Sequence, residues 1–190
     1  MMKGNLSRAM MALSLVIGVL LLAPLASSLP TGIGGSSIQT AGCNCHNSVA
    51  DSSVAANIEG FPEQYNASAT YELTISFDGG PSQPGNINLG GFNLWASEGV
   101  FTPTDGLTSL WAGSVNEVVH TEAGNDYTSW VVDWTAPESG KEVDFILHVN
   151  SVNGDGLQTG QLDQWNRATF TIQSSFGLVG EVIPEAPGPF

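Results

Sequence analysis

The chain has 190 residues, 42% of them hydrophobic, and its 18 acidic residues against four Lys and Arg give a formal charge of −14. Such a balance excludes nucleic acid and anionic lipid surfaces as partners, because both require clustered basic side chains. The length allows one ordinary domain with a core of its own, so folding does not depend on the two cysteines.

Residues 1–28 read as a secretory leader. Lys3 and Arg8 form a basic start, the apolar run from Ala9 to Leu22 is broken only by Ser14 and Gly18, and Ala26-Ser27-Ser28 suits cleavage after Ser28. Retained, the same segment is an N-terminal anchor near the lower length limit for crossing a bilayer. In both cases the remainder is exported, to the cell surface or the extracellular space. Membrane association then comes only through an uncleaved leader or a partner. Without the leader all four methionines are lost, and Lys141 and Arg167 face all 18 acidic residues, a balance of 2 − 18 = −16.

Residues 29–40 are rich in Gly and Ser and read as a flexible linker. At its end stands Cys43-Asn44-Cys45-His46, with the only two cysteines and one of three histidines. A Cys-x-x-Cys-His box attaches c-type haem through two thioethers, and its His binds iron; this box is one residue shorter. Three chemistries fit it. In the first, haem c is held by Cys43 and Cys45 with His46 on the iron. No methionine outlasts the leader, so the far axial position falls to His120, His148 or water, giving an electron carrier or a sensor with a redox or surface protein as partner. In the second, export oxidises Cys43 and Cys45 to a tight disulfide that fixes a turn and stabilises little, since the loop it closes is tiny, and the chain is a non-catalytic adhesion or structural surface module. In the third, Cys43, Cys45 and His46 bind zinc or copper, with His120 or His148 completing a tetrahedron.

Val49 to Ile58 is small and polar with weak helical character, and Phe61 to Tyr65 reads as a turn. From there the pattern is β. Tyr71, Leu73, Ile75 and Phe77 alternate with polar residues, as do Phe92, Leu94 and Ala96. Val115 to Thr121 and Ser129 to Trp134 are further strands, the latter with Trp130, Val132 and Trp134 on one face. Val143, Phe145, Leu147 and Val149 alternate with Asp144, Ile146, His148 and Asn150, which puts His148 on the outer face. Ala168, Phe170 and Ile172 close the series. Short strands with turn-rich gaps predict an all-β, antiparallel sandwich over residues 41–173. The five tryptophans (95, 111, 130, 134 and 165) suit its core and edges, with a sugar platform as the functional alternative. Residues 174–190, with Pro184, Pro187 and Pro189, read as an extended acidic spacer, and no C-terminal anchor is expected after it.

Asn153, Asp155 and Asp163 gather oxygen donors, but no Glu closes a calcium loop, so a plain turn is expected. Asn66-Ala67-Ser68 is an N-glycosylation sequon. The chain lacks a Gly-x-Ser-x-Gly elbow, a His-Glu-x-x-His pair and a phosphate-cradling loop. It reads as a non-enzyme.

The order of short blocks is itself informative. A Cys-His box is followed by Tyr71-Glu72-Leu73-Thr74-Ile75, Gly91-Phe92-Asn93-Leu94, Val119-His120-Thr121 and Trp130 to Pro137. Val143-Asp144-Phe145 and Asn153-Gly154-Asp155-Gly156 complete the set. This order resembles the choice-of-anchor V domain family of exported prokaryotic proteins, and is more distantly similar to the Reeler (reelin N-terminal-like) domain. The resemblance covers residues 41–173. It implies an immunoglobulin-like sandwich at the cell surface, and a haem box in which family members carry Cys-x-x-Cys-His. His120 occupies the family's His-Thr position, which makes it the preferred far-side ligand over His148.

Overall fold

Alternation in Tyr71 to Phe77 sends every second side chain to one face, and packing that face against its equals on other strands produces the core. The computed structural model describes residues 30–81, 85, 87–138, 140–155 and 162–175. The leader read over 1–28 and the spacer beyond Ser175 lie outside the described residues.

Among the described residues ten strands form two sheets. Strands β1 (Val54–Glu59), β3 (Thr70–Gly79), β8 (Ser129–Thr135) and β5 (Val100–Pro103) make a four-stranded sheet in the order β1-β3-β8-β5. The second sheet has six strands: β2 (Gln64–Tyr65), β10 (Gln164–Ser174), β9 (Val143–Ser151), β4 (Gly90–Ala96), β7 (Glu117–His120) and β6 (Thr108–Leu110), in that order. All pairings are antiparallel except the short β2–β10 ladder. The register sets Leu73 against Val132 and Ile75 against Trp130 in one sheet, and Leu94 against Leu147 in the other. These inner faces meet in one core with Trp130, Trp134, Phe101, Phe145 and Leu147 almost wholly enclosed. The fold is therefore the all-β sandwich that the periodicity predicts.

Phe145 is the hub of the aromatic packing. Its ring centroid lies 4.7 Å from Phe61 and 5.0 Å from Trp134, the latter edge-on. Tyr65 packs edge-on against Trp134 from the short strand β2, and its hydroxyl donates to the Lys141 carbonyl.

The structure departs from the expected elements in four places. Val54–Glu59 is an edge strand, not helical: pairing with β3 from Val54↔Gly79 to Glu59↔Thr74 overrides the helical preference of its alanines. The expected turn near Tyr65 contains strand β2. Strands β5 and β6 carry too few residues for a readable period. Finally, the segment expected to be a flexible linker is packed. Helix α1 (Ser36–Ala41) buries Ile38, and the chain from 30 to 47 lies as a strap over the outer face of the six-stranded sheet. Among the described residues no helix is long and apolar enough to cross a membrane.

Truncation at the hub tests the packing. Phe145→Ala is expected to cost about 3–5 kcal/mol in urea unfolding, since several rings lose contact and the void collapses only partly; a loss under 1 kcal/mol would place the core elsewhere.

Candidate functional site beneath the N-terminal strap

Because Phe92, Leu94, Val118, Leu147 and Val149 face the core, their neighbours Gly91, Asn93, Glu117, Val119, His148 and Asn150 face outward. An antiparallel sheet commonly leaves such a face in water. Here Asn93, Glu117, Val119, His148 and Asn150 are all buried, because the strap covers them.

Several contacts fix the strap. The Gly35 amide donates to Glu117 Oε1 at 2.7 Å, and Asn93 Nδ2 donates to the same oxygen at 2.8 Å. Gly34 lies against Trp111, and Gly32 against Val119. Ile38 is the apolar peg. At the far end Gly42, with φ +68°, presses its Cα onto the Trp165 ring; a Cβ there would sit 2.1 Å from Cη2, so no other residue fits. Trp165 Nε1 donates to the Asn47 carbonyl at 2.7 Å.

The Cys-His box closes this end. The His46 amide donates to the Cys43 carbonyl at 3.0 Å, forming a tight turn. His46 Nδ1 lies 2.8 Å from Asp163 Oδ2, and Asp163 is 1% exposed. The other Asp163 oxygen accepts from the Asn153 amide at 3.1 Å. A buried carboxylate requires such partners. Asp163 therefore ties the box to the loop after β9. His46 Nε2 has no hydrogen-bond partner among the described residues.

Cys43 and Cys45 are both free thiols, with Cys45 exposed and Cys43 half-buried with its thiol enclosed. Burial, and secondarily the neighbouring Cys45, pushes the Cys43 thiol up to about 12. In the metal-free chain Cys43 is thus a neutral thiol at physiological pH.

His120 ends strand β7, and its ring continues the ladder in place of backbone. The Phe92 amide donates to His120 Nδ1 at 3.1 Å, and the ring lies flat over Gly91. Nδ1 also lies 3.2 Å from the Phe92 carbonyl. Burial lowers the His120 pKa, donation from the protonated ring to that carbonyl opposes this, and the charge of His46 lowers it further. The structure thus brings His46 and His120 into electrostatic reach of each other. His148 is not among them. It stands on the outer face as its strand position dictates, but it is enclosed and not at the surface, with its ring 6.3 Å from Trp165. Burial first, and the Arg167 charge second, lower its pKa to about 4.

Among the described residues no three His, Cys, Asp or Glu side chains converge to hold a metal ion. The four-donor zinc or copper set expected from Cys43, Cys45, His46 and His120 or His148 is therefore not assembled. The Asn153–Asp155 segment is a turn bonded to itself, with Asn153 Nδ2 on Asp155 Oδ2 at 2.9 Å and the Asp155 amide on Asn153 Oδ1 at 3.2 Å. Asp163, grouped with it as an oxygen donor, faces His46 instead. Glu117, Asn93 and Asp163 hold the site together; spacing along the chain gave no sign of the first two, and it grouped Asp163 with the wrong partners. The only available signal was an acidic residue, Glu117, at the start of an otherwise apolar strand.

No protein-family model matches the chain, and no curated protein does. Among solved structures it is similar to the Reelin-N domain of F-spondin, with 19% identity and a TM-score of 0.43 over 66% of this chain and 88% of that one. It is similar to the human F-spondin reeler domain at 20% identity and TM-score 0.43, covering 66% and 91%. It is also similar to AggA, the major subunit of aggregative adherence fimbriae type I from Escherichia coli, at 13% identity and TM-score 0.39, covering 66% and 96%.

The enclosed imidazole makes a pH prediction. The unfolded chain protonates His148 near 6.5, whereas the folded chain does so only near 4. Stability is therefore full above pH 6.5 and falls as the pH drops toward 4, with a slope of up to ~1.4 kcal/mol per pH unit from this group. Charges that face it, Arg167 across the β9–β10 ladder and Glu117 beyond Asn93, remain in the variant. His148→Leu is expected to remove that slope from a urea–pH stability profile while leaving the carboxylate-driven loss at lower pH. An unchanged profile would mean that His148 is solvated.

Proposed function

We propose that this chain is a non-catalytic, exported surface module of the β-sandwich class, in which the Cys-His box clasps the N-terminal strap onto the sheet. One observation carries the reading: the box's groups are engaged in structure. His46 Nδ1 is bonded to buried Asp163, the Cys43 thiol is enclosed and neutral, and the next residue's carbonyl accepts from Trp165. The leader pattern at 1–28 and the strong acidity support an exported, well-solvated domain that meets other surface proteins and not nucleic acid.

A second reading has its own observation in its favour. A ligating imidazole commonly has its other ring nitrogen on a carboxylate, which sets the tautomer and the ring orientation. His46 has this arrangement, with Asp163 on Nδ1 and Nε2 unengaged. Haem c, if bound, would be held by His46 and by one thioether to exposed Cys45, with His120 as the nearby imidazole; enclosed Cys43 does not fit a second thioether. The group would supply one-electron chemistry. Asp163 would keep the His46 ring oriented.

A visible spectrum and an intact mass of the exported protein, with and without alkylation in denaturant, separate the readings. The module reading expects a colourless protein whose mass is that of the polypeptide, either with two alkylatable thiols or two hydrogens lighter. A Soret band that sharpens with dithionite, together with a covalent haem adduct lost in Cys45→Ser, would overturn it in favour of the haem reading.

A further inference from the structure

Beneath the strap the hydrogen bonding is incomplete. Asn93 Oδ1, both ring nitrogens of His148 and Asn150 Oδ1 are buried without a hydrogen-bond partner among the described residues. These atoms belong to one patch. Asn93 and His148 are directly opposite on β4 and β9, and Asn150 is the next outward residue along β9 from His148. Buried polar atoms in folded proteins are nearly always paired, so four unpaired ones on adjoining side chains call for partners from water or from a ligand.

We propose that this patch is a binding site for neutral saccharides, with the strap as its displaceable cover. The inference rests on the module reading above and names the ligand class of that module.

The chemistry of the unpaired atoms selects the ligand. Asn93 Oδ1 and Asn150 Oδ1 need donors. Neutral His148 offers one donor nitrogen and one acceptor nitrogen. An ammonium group has no acceptor for the imidazole N–H, and an anion has no donor for the amide oxygens. Hydroxyl groups supply both. Glu117, at 4% exposure, adds a carboxylate at the edge of the patch, and with the overall charge of −14 it excludes acidic sugars. Trp165 borders the patch on the β10 side, paired with Asn150, and Trp111 borders it on the Glu117 side. Indole faces at both ends suit the C–H faces of sugar rings.

The cover is built to lift. Its sequence from Gly32 to Gly42 puts glycines on Val119, Trp111 and Trp165, so it seats closely but buries little apolar surface. Ile38 is its one buried hydrophobic residue. Such a segment belongs to the low-stability end of a fold.

The test is a ¹H–¹⁵N titration of the exported protein with glucose, galactose, mannose, N-acetylglucosamine and their β-1,4 dimers at millimolar concentration, followed at the Trp165 indole and the His148 ring. At least one saccharide is expected to shift both, and Asn93→Leu and His148→Leu are each expected to abolish the shifts in a protein that still unfolds cooperatively. Ile38→Asp, which loosens the cover and leaves Asn93, His148 and Asn150 unsubstituted, is expected to tighten binding by roughly tenfold, because the open form no longer has to be created by the ligand. Absence of shifts in both wild type and Ile38→Asp would overturn the proposal and assign the unpaired atoms to bound water. Shifts that survive both Leu variants would overturn it too, by placing the sugar elsewhere. Either failure leaves the module reading standing, since that is decided by colour and mass.

Discussion

Closure of residues 30–47 over the outer face of the six-stranded sheet is the constraint on which the rest of this molecule depends. A sandwich core needs only its two inner faces, and here Phe145, Trp134 and Leu147 supply that. The strap is an addition, and it buries polar side chains in place of apolar ones. Burying Glu117 is tolerable because Gly35 and Asn93 both donate to it. Burying Asp163 is tolerable because His46 and the Asn153 amide meet its two oxygens. Remove the strap and these carboxylates return to water; keep it and each needs its partner.

This arrangement gives the Cys-His box a mechanical role. The box lies where the strap turns off the sheet, and three of its successive contacts hold that turn: His46 to Asp163, the His46 amide to Cys43, and Asn47 to Trp165. An imidazole oriented by a carboxylate suits both a clasp and a ligand, which is why the haem reading keeps a physical basis in His46. Cys43 is enclosed, and its burial pushes the thiol up to about 12.

Much of the sandwich was legible in the residues. Alternation in β3, β8 and β9 gave the strands and their inner faces, because a period of two survives wherever one face is buried. Val54–Glu59 escaped, since its alanines carry no strand signal and only its pairing with β3 makes it a strand. The strap escaped for a related reason: Gly and Ser composition reads as flexible, and only long-range contacts reveal that those glycines are seats for Trp111 and Trp165. The site was half legible. Cys43, Cys45 and His46 stand out by rarity, and His148 was placed on the correct face. Its burial, and the pairing of His46 with a carboxylate 117 residues away, depend on tertiary structure that no local spacing encodes.

The most direct test of this account is hydrogen exchange of peptides spanning 36–47 in wild type and in Asp163→Ala. The account predicts measurable protection in wild type, lost selectively over 36–47 in the variant while β3, β8 and β9 keep theirs. Exchange over 36–47 at the rate of an open chain in wild type would contradict it, because the outer face would then be uncovered and the clasp would not exist.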